Sequence, residues 1–441
     1  MQKFATLLIA AIFLSPFSAL AGDALSDSLT SVGAQQAGNN SGTIPAWSQG
    51  ITTPPANYKT GGFHPDPFAD DKPLFTITSE NWTQYKDKLS DAHQLMFQKY
   101  SNFQIPVYPT RRSASYPDFV YEAIRQNATT AQLTHDGNTI IGGRITSPFP
   151  VPADGLEAIW NHLLRYRGQT LERTEEAVAV SPPNHFIVTT AHSSILFPLS
   201  FPQSSFDSSE KTLVYFKQRI STPPRSAGSL LLVHEMLDKF KENRQSWLYN
   251  PGLRRVNRAP FIAYDTYAQS SEGLRTYDQF DMFNGAPDYY EWTLEGKKEL
   301  YVPYNDYRLA NKKLDRKDIL GPSFLNPDYT RYELHRVWKV TAKLKENKHH
   351  IYPRRVFYLD EDSWQILVSE EYDGRQDLWR FSEAHVINYY EVPAIIPTAE
   401  VRYDFKSNRY LVEWQIEPTK FSTKLTVDDF APAALRREGI R

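Results

Sequence analysis

From about residue 184 the chain changes its hydrophobic period to two, and that change constrains the fold more than any other feature. HFIVTTAH (185–192), TLVYFKQRIS (212–221), GSLLLVHEML (228–237), QSWLYN (245–250), KELYVPY (298–304), YELHRVWKVTAKL (332–344), YPRRVFYLD (352–360), SWQILVSEEYD (363–373), DLWRFSEAHVINYY (377–390), VRYDF (401–405) and YLVEWQI (410–416) all read as strands. Successive side chains of an extended chain point to opposite sides, so the alternation also assigns faces. Tyr410, Val412, Trp414 and Ile416 share one side, against Leu411, Glu413 and Gln415. Tyr332, Leu334, Arg336 and Trp338 fall together, against Glu333, His335, Val337 and Lys339. Polar turns such as KENKHH, DEDS, DGRQ and KSN join several of these runs. The pattern predicts an antiparallel meander with one apolar, aromatic face and one wetter face.

Helical periodicity lies mostly before this region. The spacing predicts helices over residues 78–101, 116–133 and 155–166, and NTIIGGRI (138–145) reads as a short strand. Residues 22–73 are rich in Gly, Pro, Ser and Asn and read as an extended, turn-rich wrap anchored by Trp47 and Phe63. Helices followed by grouped strands give an α+β class. Residues 74–441 read as a single domain, a large curved antiparallel sheet.

The start MQKFATLLIAAIFLSPFSALAGD has a basic residue, an apolar run too short to span a bilayer and a small-x-small site at Ala19–Ala21. Residues 1–21 read as a secretory signal peptide. No later run approaches the length of a transmembrane helix. With no cysteine, thiolate catalysis, disulfides, sulfur-ligated metal sites and a lipidated N-terminal Cys are all excluded. The net charge of -2 gives no global reason to expect nucleic acid as a partner. A soluble periplasmic protein is the simplest reading. Its 26 Tyr, 25 Phe and 9 Trp suit either a β-rich core or an aromatic-lined ligand cavity.

SPFPVPADGLEAIWNHLLRYRG (147–168) gathers Asp154, Glu157, Asn161, His162, Arg165, Tyr166 and Arg167 around Trp160, which resembles a catalytic centre. The spacing argues otherwise. Pro148, Pro150 and Pro152 enforce extended chain, Asp154 suits an N-cap, and Leu156, Ile159, Trp160 and Leu163 form an i, i+3, i+4, i+7 stripe. The stretch therefore reads as an amphipathic helix that closes the sheet, with Trp160 as a candidate ligand contact.

Catalytic and metal signatures are missing: no GxGxxG, no GxxxxGK[ST], no GxSxG. His234-Glu235 lacks the second histidine of a zinc helix because position 238 is Asp. His349-His350 reads as a solvated turn, Asp360-Glu361-Asp362 as a hairpin turn, and the Asp278, Asp281, Asn284, Asp288 series lacks the order of a calcium loop. No cofactor or metal is expected. Arg-Arg occurs at 111–112, 254–255, 354–355 and 436–437. In WLYNPGLRRVNRAPFIAYD (247–265), a turn joins Trp247 and Tyr249 to Arg254, Arg255 and Arg258, which reads either as a hairpin whose arginines pair with strand carboxylates or as a set gripping an anionic head group at a cavity mouth.

VYPTRRSASYPDFV (107–120), PFPVPADGLEAIWNHLLRYRG (148–168), WLYNPGLRRVNRAP (247–260), FNGAPDYYEW (283–292), GKKELYVPYNDYRL (296–309), RYELHRVWKVTAKLK (331–345) and RRVFYLDEDSW (354–364) together resemble the periplasmic domain-of-unknown-function 1329 family, also labelled outer-membrane lipoprotein-sorting-like. The resemblance spans about Gly42 to Arg437. It implies the fold of lipoprotein carriers, an incomplete, half-open barrel wrapped around helices, with an apolar cavity. It also implies a carrier or adaptor for a lipid or other hydrophobic molecule, working with an inner-membrane efflux-type transporter and an outer-membrane β-barrel protein, and located in the periplasm or peripherally at the outer membrane. The ligand contacts expected on these grounds are Trp160, Trp247, Tyr249, Arg254, Arg255 and Trp338. No catalytic residue is expected. The alternatives are a structural adaptor without cargo, or a lipid or glycan hydrolase using His162, His234, His335 or His385 as base.

Overall fold

In the computed structural model the described residues are 25, 27–183, 185–209, 211–239, 241–242, 244–259, 263–311, 314–421 and 424–439. The signal-peptide segment lies outside them. The strands are β1 (Phe75–Thr78), β2 (Gln104–Val107), β3 (Gln132–Leu133), β4 (Ile140–Ile141), β5 (Thr170–Ser181), β6 (His185–Leu196), β7 (Thr212–Thr222), β8 (Leu230–Met236), β9 (Gln245–Asn250), β10 (Arg255–Arg258), β11 (Tyr290–Pro303), β12 (Tyr332–Leu344), β13 (Arg354–Asp360), β14 (Ile366–Tyr372), β15 (Leu378–Asn388), β16 (Ile395–Asp404), β17 (Arg409–Gln415) and β18 (Lys420–Phe421). The helices are α1 (Asp91–Lys99), α2 (Asp118–Thr130), α3 (Gly155–Leu164), α4 (Arg316–Ile319) and α5 (Pro432–Gly439).

Sixteen strands form one open sheet in the order β1-β2-β12-β13-β14-β15-β16-β17-β5-β6-β7-β8-β9-β10, with β11 also on β12 and β18 on β5. Every pairing is antiparallel except one parallel contact, Tyr332 with Val107. The sheet is mostly antiparallel and does not close into a barrel, since β1 and β10 remain at its two edges. The eleven expected strands all form. β5 was not foreseen, because Arg173, Glu175 and Glu176 interrupt its apolar alternation, yet it joins the two halves of the sheet through β17 and β6.

The segment expected to be one helix over 78–101 is split. Trp82–Lys88 is a 3-10 turn, and Ser90 then starts α1 by accepting a hydrogen bond from His93 N at 3.2 Å. α2 and α3 form inside their expected ranges. α3 starts at Asp154, whose carboxylate accepts from Glu157 N at 2.9 Å, while the Glu157 carboxylate accepts from Ala153 N at 2.7 Å. It packs against β11 and β12. A Cβ on Gly155 would meet the Thr293 backbone at 2.8 Å, so glycine is what permits this close approach.

The expectation of one wet face fails over the central strands, where nearly every residue of β13–β16 is buried. One face carries Val178, Val180, Phe381, Val401, Val412 and Tyr410 in the main apolar core with Met96 and Phe97 of α1. The other carries Arg355, Glu371, Arg380, Arg402, Glu400 and Glu413. Those charges are covered by chain from elsewhere and are paired in place of water.

The N-terminal wrap is anchored differently from expectation. Val32, Ala34 and Ile44 enter the core, whereas Trp47 and Phe63 are half-buried. The wrap is clamped on the turn after β13. Arg112 donates to both carboxylate oxygens of Asp362 (2.9 and 2.7 Å) and to Gln35 O (2.8 Å). Arg336 donates to Ala37 O at 3.0 Å, and Trp364 Nε1 to Val32 O at 3.0 Å. The expected hairpin turn at 360–362 does join β13 to β14, and it is buried as the junction with the wrap.

Candidate functional site: a roofed groove on the charged face

A groove lies between one face of β5, β7, β8, β16 and β17 and a roof made by the 268–284 segment and the end of α3. Its cavity volume is about 110 Å³, several times what a single water needs. Its two walls differ. Val214, Phe216, Leu231 and Val233 of β7 and β8 make one wall apolar, with Phe280 and Phe283 above. This follows from the strand alternation, since Phe216 pairs with Val233 across the ladder. The other wall carries Arg173 and Glu175 from β5, Glu400 from β16, Glu413 from β17 and Arg275 from the roof.

That second wall is a chain of ion pairs. Arg173 Nε lies 2.8 Å from Glu175 Oε2, Arg275 Nε lies 3.2 Å from Glu413 Oε2, and Arg402 donates to Glu413 at 2.6 Å and also pairs with Glu400. Burial pushes the Glu175 and Glu400 carboxyls up, against the pull of Arg173 and Arg402. Burial acts the same way on Glu413, but Arg275, Arg402 and Arg173 together outweigh it and hold that carboxyl down. With cations and anions balanced, the wall can take a polar group that donates and accepts. It is not a general anion trap.

The roof is fastened by cations. Arg165 donates to Asp281 at 2.5 Å, and Arg167 pairs with the same carboxylate. Arg355 donates to Asp278 at 2.6 Å, and His350 Nε2 lies 3.1 Å from it. Arg380 donates to Gly273 O (2.7 Å), Arg402 to Gln279 O (2.7 Å) and Arg409 to Glu272 O (3.2 Å). Burial would raise Asp278 and Asp281, but the facing guanidiniums dominate and hold both carboxyls well below the usual range. Burial lowers the Arg167 guanidinium to about 10. So Asp278 and Asp281 of DQFDMFNGAPD serve as arginine sockets, Asp288 pairs with Lys348, and His350 is drawn out of the turn where solvent was expected.

From Ala158 to Leu164, α3 is buried on all sides. Asn161, His162 and Arg165 are as inaccessible as Trp160. Asn161 brackets Phe149, accepting from its N at 2.8 Å and donating to its O at 2.6 Å. Burial first, and Arg165 next, lower His162 well below its ordinary value, which keeps it neutral.

The six expected ligand contacts scatter. Trp160 sits in the main core and donates to Gly137 O at 3.1 Å. Trp338 stacks on Trp364 with ring centres 6.0 Å apart, under Lys297. Tyr249 and Trp247 pack with Leu435 and Phe430 on the opposite side of β8–β10 from the groove wall. Arg254 and Arg255 are exposed at the β9–β10 turn. None of the six is among the groove's lining residues. The groove's own charged residues were missed, although their spacing was legible: Glu400 and Arg402 in one strand, Glu413 and Gln415 in the next, each pair on one face.

Of the histidines weighed as bases, His335 Nε2 lies 3.0 Å from Glu333 Oε2, His385 Nδ1 lies 3.1 Å from Asp306 Oδ2, and His234 Nε2 lies 2.8 Å from Phe430 O. A hydroxyl–imidazole–carboxylate series occurs elsewhere: Ser90 Oγ to His93 Nδ1 at 3.0 Å, and His93 Nε2 to Glu383 Oε1 at 2.9 Å. All three residues are buried, and Ser90 serves as the α1 cap. Among the described residues one set, His335, Asp360 and Asp362, brings possible metal-ligand atoms within 4.8 Å of one another, but both Asp362 oxygens are engaged by Arg112. Burial and then Asp362 raise the Asp360 carboxyl, which accepts from Tyr304 OH and Ser363 Oγ.

The sequence profile of the proteins of unknown function DUF1329 matches residues 76–436, and the chain belongs to that family. An uncharacterized protein of Pseudomonas aeruginosa is 45% identical over 422 residues, covering 95% of this chain and 93% of the relative. Among solved structures, a putative outer membrane lipoprotein-sorting protein domain from Vibrio parahaemolyticus has a TM-score of 0.46 at 15% identity, covering 64% of this chain and 98% of that one. A DUF1329 protein from Desulfovibrio piger scores 0.41 at 13% identity, covering 61% and 92%. A LolA superfamily protein from Nitrosomonas europaea scores 0.39 at 12% identity, covering 64% and 98%.

Proposed function

We propose that the protein is a periplasmic carrier that holds a hydrophobic molecule bearing a polar end in the roofed groove. The observation that carries this is the opposition of an apolar wall (Val214, Phe216, Leu231, Val233) to a charged wall (Arg173, Glu175, Glu400, Glu413, Arg275), whose third carboxylate is balanced by Arg402 behind it, paired with Glu400 and Glu413. An apolar arm on the first wall gains on the order of 25 cal/mol for each Å² removed from water, while the second wall meets a polar group without leaving it unpaired. The protein performs no covalent chemistry in this reading. An inner-membrane efflux-type transporter and an outer-membrane β-barrel protein are the partners it would work between.

The test is native mass spectrometry of gently purified protein, combined with displacement of a fluorescent fatty acid. A lipid-sized adduct is expected, and Val233→Trp, which fills the groove, should weaken probe binding about tenfold or more through lost apolar contact. Absence of any adduct together with no probe binding refutes the carrier reading. Crosslinking in cells followed by pull-down tests the partners separately.

A further inference from the structure

Two of the four Arg-Arg pairs are accounted for by the fold. Arg111 and Arg112 pair with Asp71 and Asp362. Arg354 stacks on Tyr372 with its guanidinium 3.4 Å from the ring centre, and Arg355 pairs with Asp278. The other two, Arg254-Arg255 and Arg436-Arg437, are exposed and make no ion pair with a described residue.

They meet at one corner. β9 and β10 join through the turn that carries Leu253, Arg254 and Arg255, and Arg258 follows on β10, the edge strand. α5 packs against β8, β9 and β10, and Arg436 and Arg437 lie in its last turn. Its end is fixed beside that turn, because Tyr249 OH donates to Gly439 O at 2.9 Å, and the Tyr249 ring occupies the space a Cβ on residue 439 would need. The neighbouring β7–β8 turn adds Arg225, whose side chain is 74% exposed. Of the nearby acids, Glu272 faces Arg225 and Glu438 pairs with Lys217, while Asp429, which feels the Arg437 charge, accepts from Thr426 N and Oγ1. A chain of net charge -2 therefore concentrates six arginines at one corner.

The same end is apolar where it should be wet. Alternate hairpins of an antiparallel meander place their turns at one end. Leu253 at the β9–β10 turn is 65% exposed, and Phe186 and Ile187, just after the β5–β6 turn, are 44% and 40% exposed. With strands about 4.8 Å apart, Leu253 stands roughly 15–20 Å from Phe186 and Ile187 along a single rim. A row of projecting tips with no groove between them does not suit a peptide. A protruding leucine flanked by unpaired guanidiniums suits an interface where apolar groups enter and phosphates surround them.

We propose that the β9–β10 corner docks on an anionic phospholipid surface, the arginines contacting lipid phosphates and Leu253 entering the headgroup boundary. This does not depend on the groove or on what it carries. The test is co-sedimentation of the full chain with vesicles of phosphatidylcholine alone or mixed with phosphatidylglycerol, at low and high salt. Binding should require phosphatidylglycerol and weaken with salt, and each arginine of the corner changed to Gln should weaken it about fivefold. Leu253→Ser should reduce the binding that survives high salt. Lys317→Glu, an exposed charge on α4, should change nothing. All these positions are exposed, so an unchanged melting temperature confirms that the variants fold. No binding, equal binding to both vesicles, equal loss in the Lys317 variant, or binding to soluble polyglutamate as tight as to vesicles each overturns the proposal. Fatty-acid binding should be the same in wild type and in Arg254→Gln/Arg255→Gln, which separates this failure from failure of the carrier reading.

Discussion

Replacing Asp281 with Ala removes one carboxylate that serves two buried arginines. The Arg165 side chain is fully inaccessible, and those of Arg167 and Asp281 are 10% and 11% exposed. Removing one partner of a buried charge pair costs about 3–5 kcal/mol, because the charge left behind has neither water nor partner. The unfolding entropy of a 441-residue chain, at about 2.1 cal/mol/K per residue, is ~0.9 kcal/mol/K, so the melting temperature should fall by about 4 °C. The effect has a pH signature. The folded carboxyl is held well below its ordinary value, so its stabilisation is complete above the unfolded value, near 3.9, and is lost as pH falls through and below it. Differential scanning calorimetry at pH 7 and near pH 3 should show a gap between wild type and Asp281→Ala that narrows in acid. The roof also loses an anchor, so the fluorescent probe should dissociate faster at pH 7. A melting temperature within about a degree of wild type at pH 7 would refute the view that this clamp holds the roof.

Glu370 behaves oppositely. Burial, and then the Asp91 charge, push its carboxyl up to about 7, although Ala92 N donates to it at 2.8 Å. A folded value above the unfolded one gives stability that is complete below about 4.3 and is lost as pH rises through about 7. Glu370→Gln should therefore match wild type in mild acid and exceed it at pH 8 by on the order of 3 kcal/mol, as read by urea denaturation at the two pH values. Trp160→Ala opens a cavity in the main core and should cost about 3–5 kcal/mol while leaving probe affinity unchanged; a selective loss of binding would return Trp160 to the ligand site.

The strand periodicity in the sequence was enough to place eleven strands and their faces, because side-chain direction in an extended chain is local geometry. The Asp154 cap and the α3 stripe were legible for the same reason: they depend on residues within a few positions. β5 was not, since Arg173 and Glu175 look like solvent-facing residues until the roof is known, and Glu176, on the other face, until Arg316 is seen to pair with it. Whether a face is wet is not a local property. Asp278 meets Arg355 and Asp281 meets Arg165 across 77 and 116 residues. Only when the 268–284 segment crosses the sheet do the charges beneath it become a buried, paired wall. Trp160 and Arg254 show the two directions of the same limit. An aromatic helix residue went to the core and a cationic turn went to the surface, because burial is decided by what packs against a residue from far along the chain.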